Sequence, residues 1–325
     1  MKKIQIKKYD SSLKRDWDAF IASAKNSSFL FYRDFMEYHS DRFEDHSLMV
    51  FEGEKLMAVL PANRVGDALI SHQGLTYGGL VLKPKNRLAQ VIIFYKGILE
   101  FLQQEGIAQL QIKDIPGFYH KVPSGEMEYI FYLTQAKLIK TEVAAVIDNR
   151  NRLPLHRSRQ GGLKKAARAQ LNIMENTDFE AFWDEILIPN LKRQHQAHPT
   201  HTVDEISLLA TRFPNNIRQF NVYEDEQIVA GATIFETDTV AHVQYISANA
   251  RRQELGSLDF LFKHLIFDVF REKHYFDLGT SNESNGLKLN AGLQNWKESL
   301  GARSFAKHTY RVNTKNASNL ENILL

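Results

Sequence analysis

SLMVFEGEKLMAVL, residues 47–60, and QFNVYEDEQIVAGA, residues 219–232, are two versions of one pattern. In each, an apolar run meets an acidic turn and a second apolar run follows. Phe51-Glu-Gly-Glu-Lys and Tyr223-Glu-Asp-Glu-Gln occupy matching places, 172 positions apart. Further on, residues 91–104 and 257–271 both carry helical apolar spacing. Each is followed by a short strand-like run, 109–112 and 275–278, about 166 positions apart. A unit of strand, turn, strand, strand, helix and strand recurring at half the chain length predicts two domains of one fold, with a ligand cleft between them.

Composition suits that reading. The chain has 325 residues, 43% of them hydrophobic, enough for two packed cores of ordinary size. Its formal charge is +3, too mild to argue for nucleic acid by itself. There is no cysteine. Disulfides, thiolate metal sites and cysteine nucleophiles are thereby excluded, and a reducing compartment is expected. The first residues, MKKIQIKKYDSSLKRDW, are basic and lack the apolar stretch of a secretory signal. No run of 18 apolar residues occurs, so no membrane span and a cytoplasmic location are expected.

The pattern along the chain divides at 148/149. The first half reads as a strand at 3–8 and helices at 12–25 and 31–40. A hairpin at 47–61 follows, then a strand at 68–72, the helix at 91–104 and a strand at 108–113. Strands at 129–133 and 144–148 end it. The second half reads as a basic helix, helices at 178–195 and 207–213, and three antiparallel strands within 220–247. A helix at 258–271, a strand at 275–278, a helix at 286–299 and a last strand at 310–312 follow. Residues 314–325 read as a short helix or a loose end. Each half is thus α+β, a mixed, largely antiparallel sheet flanked by helices.

Four stretches could carry chemistry. Gly74-Leu75-Thr76-Tyr77-Gly78-Gly79 follows a strand; its glycines either let backbone N–H groups approach an anion or carbonyl, with Tyr77 adding a hydroxyl, or simply make a tight turn. Residues 150–168 hold seven Lys/Arg in a span free of acids between Asp148 and Glu175. Lys164, Lys165 and Arg168 share a helix face, and Arg157, Arg159 and the Gly161-Gly162 pair stand at its N-terminus. That is either a phosphate seat or a solvated basic face. Residues 249–258, NARRQELGSL, sit between strand and helix and match part of a pyrophosphate loop, with Gln253 and Gly256 in place and Leu258 where a small residue ends the motif. Lastly, Asp277-Leu-Gly-Thr ends a strand, and Asn295-Trp-Lys-Glu-Ser-Leu-Gly301 follows a polar loop. Lys297 there is either a fixed positive charge for a phosphate or a carbonyl oxygen, or a surface lysine. His195, His198 and His201 have no carboxylate closely spaced with them, so no metal site is expected. No Gly-x-Ser-x-Gly elbow supports a serine hydrolase.

Taken together, the duplicated pattern, Leu75–Gly79, the RSRQGGLKKAARAQLNI segment at 157–173, and Phe276-Asp-Leu-Gly with Trp296-Lys297-x-x-x-Gly301 resemble the FemAB-like branch of the GNAT acyltransferase superfamily. The resemblance spans roughly residues 5–312. It implies two tandem GNAT-like domains, 1–148 and 149–325, with the donor site in the second. It implies an N-acyltransferase that moves an acyl or aminoacyl group from acyl-CoA or aminoacyl-tRNA, as co-substrate, to an amine such as a cell-envelope precursor. No tightly bound cofactor is implied. Lys297, Asp277 and Tyr77 are the candidate catalytic residues. Gln253, Gly256, Arg157, Arg159, Lys164, Lys165 and Arg168 are the candidate donor-binding residues. Two other readings remain open at this point: an RNA- or tRNA-binding protein that transfers nothing, and a silent duplicate that holds an envelope precursor.

Overall fold

The computed structural model of the protein describes residues 4–195 and 197–324. Lys3, at the head of the first expected strand, lies outside them. The chain forms two compact units, Met1–Glu142 with Ala306–Leu325, and Val143–Phe305.

In the first unit, β1 (Ile4–Lys8) leads into α1 (Lys14–Ser23). Helix α1 buries Trp17, Phe20 and Ile21, as its apolar spacing requires. The hairpin of β2 (Leu48–Glu52) and β3 (Lys55–Leu60) turns at Gly53, whose φ of 63° suits a residue without Cβ. Then come β4 (Asn63–Val65), β5 (Ala68–Ile70) and β6 (Val81–Leu82). Helix α2 (Leu88–Gln104) crosses to β7 (Gln109–Lys113). It buries Val91, Phe94, Tyr95, Ile98 and Leu102 along one stripe, each side chain worth about 1.5–3 kcal/mol of transfer free energy.

Residues 129–133, expected as a strand, belong to helix α3 (Glu126–Leu133). Met127, Ile130 and Phe131 are buried at helical spacing while Tyr129 and Tyr132 face out. Aromatic and branched residues, enriched in strands, fill this run, but here their burial follows the helical period.

Strand β8 (Lys137–Asp148) passes unbroken through the division between the units, which falls at 142/143 and not at 148/149. A continuous strand contains no linker for composition to mark.

The second unit begins with α4 (Arg159–Arg168) and β9 (Asn172–Asn176), then a helical run over 179–195 and α5 (Val203–Arg212). A Thr202/Glu205 capping box starts α5. Strands β10 (Ile217–Glu224), β11 (Gln227–Glu236) and β12 (Val240–Ala248) are antiparallel. Helix α6 (Ser257–His264) returns the chain to β13 (Tyr275–Thr280). The helix expected at 286–299 is confined to α7 (Ala291–Ser299), capped by the Asn290 side chain on the Leu293 N–H. The residues before it make a two-residue ladder, Asn282–Glu283 with Lys288–Leu289, because Ser284 and Asn285 take left-handed φ values. Strand β14 (Arg303–Asn313) and a 3-10 turn, Thr314–Leu320, end the chain.

The pairings of the two units share a parallel rung. In the second, β9-β10-β11-β12 run antiparallel, β12 pairs parallel with β13, and β13 pairs antiparallel with residues 144–148 of β8. In the first, β1-β2-β3-β6 run antiparallel. There β5 pairs parallel with β7, and β7 antiparallel with residues 309–313 of β14. The parallel rungs match: Ala68↔Gln109 and Ile70↔Gln111 answer Val240↔Tyr275 and His242↔Asp277, at offsets of 172 and 166. What is one strand in the second unit, β12, is two short ones in the first, β5 and β6, parted by the glycine-rich loop at 71–80. Among the described residues, no helix is long and apolar enough to cross a membrane.

Candidate functional site

The parallel pairing of β12 with β13 stops at His242↔Asp277. Beyond that rung, β12 continues to Ala248 against β11, and β13 turns to Ala144 of β8. The two strands therefore part at this rung. A register shift between Thr233 and Ile234 gives β12 an extra residue, Gln244, just past the parting. Bulges of this kind re-aim side chains next to sites.

Polar groups gather there that a sheet interior does not need. Asp277 is 1% exposed. Its Oδ2 lies 2.8 Å from His242 Nδ1, and its Oδ1 accepts the Gly279 N–H at 2.8 Å. Lys297, from α7, is 4% exposed, and its ammonium donates to the carbonyls of Gly279 (3.0 Å) and Thr280 (2.7 Å). Gly279 makes this possible with a φ of 71°. Ser281, next along, is buried with its hydroxyl unpartnered among the described residues. A surface location for Lys297 is thus ruled out by its burial.

The basic segment is built differently from the expectation of an open phosphate seat. Helix α4 lies against the start of α6, and its glycines serve that approach. A Cβ on Gly162 would fall 2.0 Å from Asp259 Oδ2, and one on Gly256 would fall 2.1 Å from the Gly162 carbonyl oxygen. Arg159 forms an ion pair with Asp259 at 3.0 Å, and Lys165 donates to the Gln253 carbonyl at 2.6 Å. Gly256 ends the turn Arg252–Leu255 in the left-handed region, φ 67°. Arg157, Lys164 and Arg168 remain exposed. At the head of α6, Ser257 is wholly buried, its hydroxyl unpartnered among the described residues.

Beside this contact is a cavity of about 910 Å³ within the second unit. Arg157, Arg159 and Gln253 line it, joined by His156, Arg303 and, from α7, Asn295, Trp296, Glu298 and Ser299. That size falls in the range of small-molecule sites. The structure so brings three of the expected donor-binding residues to one cavity, and places Lys297 on the helix that forms its wall.

Tyr77 lies in the first unit. Its ring is buried against Tyr119 (centroids 4.5 Å) and Phe31 (5.9 Å). The glycines around it answer to packing: a Cβ on Gly74 would strike His39, and one on Gly78 the Ser71 carbonyl. The loop is stitched to β7. The Gly78 N–H donates to the Lys113 carbonyl (2.6 Å), Lys113 N–H to Ser71 Oγ (2.9 Å), and the Lys113 ammonium to the Leu75 carbonyl (2.6 Å). It fills the place where the second unit's strands part. Burial lowers the Lys113 ammonium to about 8 and raises the neighbouring Asp114 carboxyl to about 7.

Reading the residues alone passed over His242, which looked like an ordinary strand residue. The signal lay in the repeat. At the same offsets the first unit has Ile70 for His242, Gln111 for Asp277 and Phe131 for Lys297. Phe131 is buried and stacked on Tyr310. In the first unit the two rung positions are half-buried and uncharged, and the position matching Lys297 is a buried aromatic.

No protein-family model and no curated protein matches this sequence. Solved structures do match in shape. One described as FemX aligns over 98% of this chain and 99% of its own, with a TM-score of 0.64 and 11% identity. The fold is that of the FemAB-like GNAT proteins. The C-terminal domain of a putative lysylphosphatidylglycerol synthetase from Agrobacterium fabrum aligns over 96% of both chains, TM-score 0.61, 14% identity. A tandem GNAT protein of the clavulanic acid biosynthesis pathway aligns over 96% of this chain and 99% of its own, TM-score 0.52, 10% identity.

Proposed function

We propose that the chain is an N-acyltransferase that moves an acyl or aminoacyl group from a CoA thioester or an aminoacyl-tRNA to an amine. The observation that carries this is the cavity of about 910 Å³ lined by Arg157, Arg159 and Gln253, in the same unit as the parting strands with buried Asp277 and Lys297. Each donor presents phosphates together with a reactive carbonyl. The arginines suit the phosphates by bidentate pairing. The strands part beside buried Asp277 and Lys297, a setting in which a carbonyl can be held and an amine brought to it. Each unit is a GNAT-like half, and transfer belongs to the second, because in the first the 71–80 loop occupies the corresponding gap. Lys297 fixes the end of β13 by its two carbonyl bonds and lends that end a positive charge. Both donors are cytoplasmic metabolites, so the reaction is placed in the cytoplasm.

The exposed Arg157, Lys164 and Arg168 favour tRNA over CoA, since they extend the cationic surface of α4 beyond the cavity. A melting screen with CoA, acetyl-CoA and alanyl-tRNA tests the reading. A ligand at 100 times its Kd adds about 2.7 kcal/mol to stability. The expected result is a raised midpoint with one of the three, at one donor per chain, followed by transfer of its acyl group to an amine. Binding of RNA without any transfer would leave a binding protein, and two donors per chain would remove the assignment to the second unit.

A further inference from the structure

We infer that His242 is the catalytic base of the second unit, accepting the proton of the attacking amine, with Asp277 as its positioning residue. This rests on the transferase reading above.

The geometry is specific. His242 Nδ1 and Asp277 Oδ2 are 2.8 Å apart across the last parallel rung, on neighbouring strands of one sheet. His242 is 9% exposed and Asp277 1%. Asp277 cannot turn away, because its other oxygen takes the Gly279 N–H. With the carboxylate ionised, Nδ1 keeps the ring's proton and Nε2 carries the lone pair. That nitrogen makes no hydrogen bond among the described residues. A Cβ on Gly279 would sit 3.7 Å from His242 Cε1, so the missing side chain leaves the ring edge uncovered.

A buried His–Asp pair could also serve only to hold two strands together. The first unit argues against that. It builds the same rung, in the same register, from Ile70 and Gln111. The rung therefore forms without an ionisable pair, and burying such a pair is often neutral or costly for stability. The pair stands where the strands part and nowhere else along them.

The step balances. The amine lone pair forms the C–N bond, and the carbonyl π pair moves to oxygen. The ammonium proton passes to His242 Nε2. Collapse breaks the bond to the thiol sulfur or the ribose oxygen, and the imidazolium returns its proton to that leaving atom. Amine plus ester gives amide plus thiol or alcohol, with the base restored.

Two measurements on the full chain test this. Imidazole 15N NMR, assigned by the signal lost in His242→Gln, should show an Nδ1-protonated ring with bare Nε2, and Asp277→Asn should shift that tautomer balance. An Nε2-protonated ring, or a tautomer balance indifferent to Asp277, overturns the assignment without any substrate. In transfer from acetyl-CoA or alanyl-tRNA to hydroxylamine, His242→Gln should lower kcat about 10²–10³-fold with KM little changed. A kcat equal to the unsubstituted chain's sinks His242 while leaving the transferase reading intact. No turnover of either donor by the unsubstituted chain sinks that reading and the base with it, whatever the NMR shows.

Discussion

Asp277 and Lys297 grip one residue from opposite sides: the Gly279 N–H donates to Asp277 Oδ1, and the Lys297 ammonium donates to the Gly279 carbonyl. The end of β13 is thus held by two charged side chains from different elements, both buried.

This bears on Lys297→Met. From sequence the lysine is a fixed charge whose loss should spare the fold. In the structure the substitution strips the carbonyls of Gly279 and Thr280 of a donor, at about 1–3 kcal/mol for a buried unsatisfied group. Urea unfolding should show a lower midpoint with unchanged slope. Transfer should fall as well, since the strand end that carries Asp277 loosens.

Gly256→Ala should be among the most damaging single-methyl changes in the chain. The new Cβ would meet the Gly162 carbonyl 2.1 Å away, a backbone atom that cannot swing aside, and the φ of 67° disfavours any side chain. A loss of about 2–4 kcal/mol is expected from the strain and overpacking together. Wild-type-like unfolding would mean that α4 does not lie against α6 in solution.

Reversing the exposed charges with Lys164→Glu and Arg168→Glu should leave stability within about 0.5 kcal/mol. Lys165 is left alone because it already serves the Gln253 carbonyl. If tRNA is the donor, its affinity should drop and the slope of log K against log salt should flatten by roughly one to two. Unchanged tRNA binding would return this face to plain solvation.

The Asp114 carboxyl titrates near 7 because burial disfavours its charge. Its folded value lies above its unfolded one, so its contribution to stability is full below about pH 4 and is lost as pH rises through about 7. Asp114→Asn should therefore raise the melting midpoint by a few degrees at pH 8 and leave it nearly unchanged at pH 4. A shift of equal size at both values would place the effect outside the titration.

The hairpins and amphipathic helices were legible in the sequence because they announce themselves by period, and the offsets of 172 and 166 recur in the parallel rungs. The sequence hid whatever depends on what a residue touches. Gly161-Gly162 reads as a phosphate seat until Asp259 is seen against Gly162. Residues 129–133 are rich in aromatic and branched side chains, as strands are, although a helix turns Tyr129 and Tyr132 both outward. His242 was invisible as chemistry because its partner lies 35 positions away, joined to it only by strand order.

The closing strands have a consequence for how the chain comes to be folded. The first unit is completed by residues 306–325, although the rest of it lies before 143. A growing polypeptide must therefore make nearly its whole length before the N-terminal sheet receives its last member, and until then β7 offers a bare edge of the kind that recruits stray strands. A fragment ending at 148 would carry that edge permanently, together with residues 143–148 that belong to the other unit. Cutting this protein at its apparent midpoint should yield aggregates in place of half-proteins. A cut that respects its cores would instead rejoin the two ends of the chain and excise 143–305 as one insert.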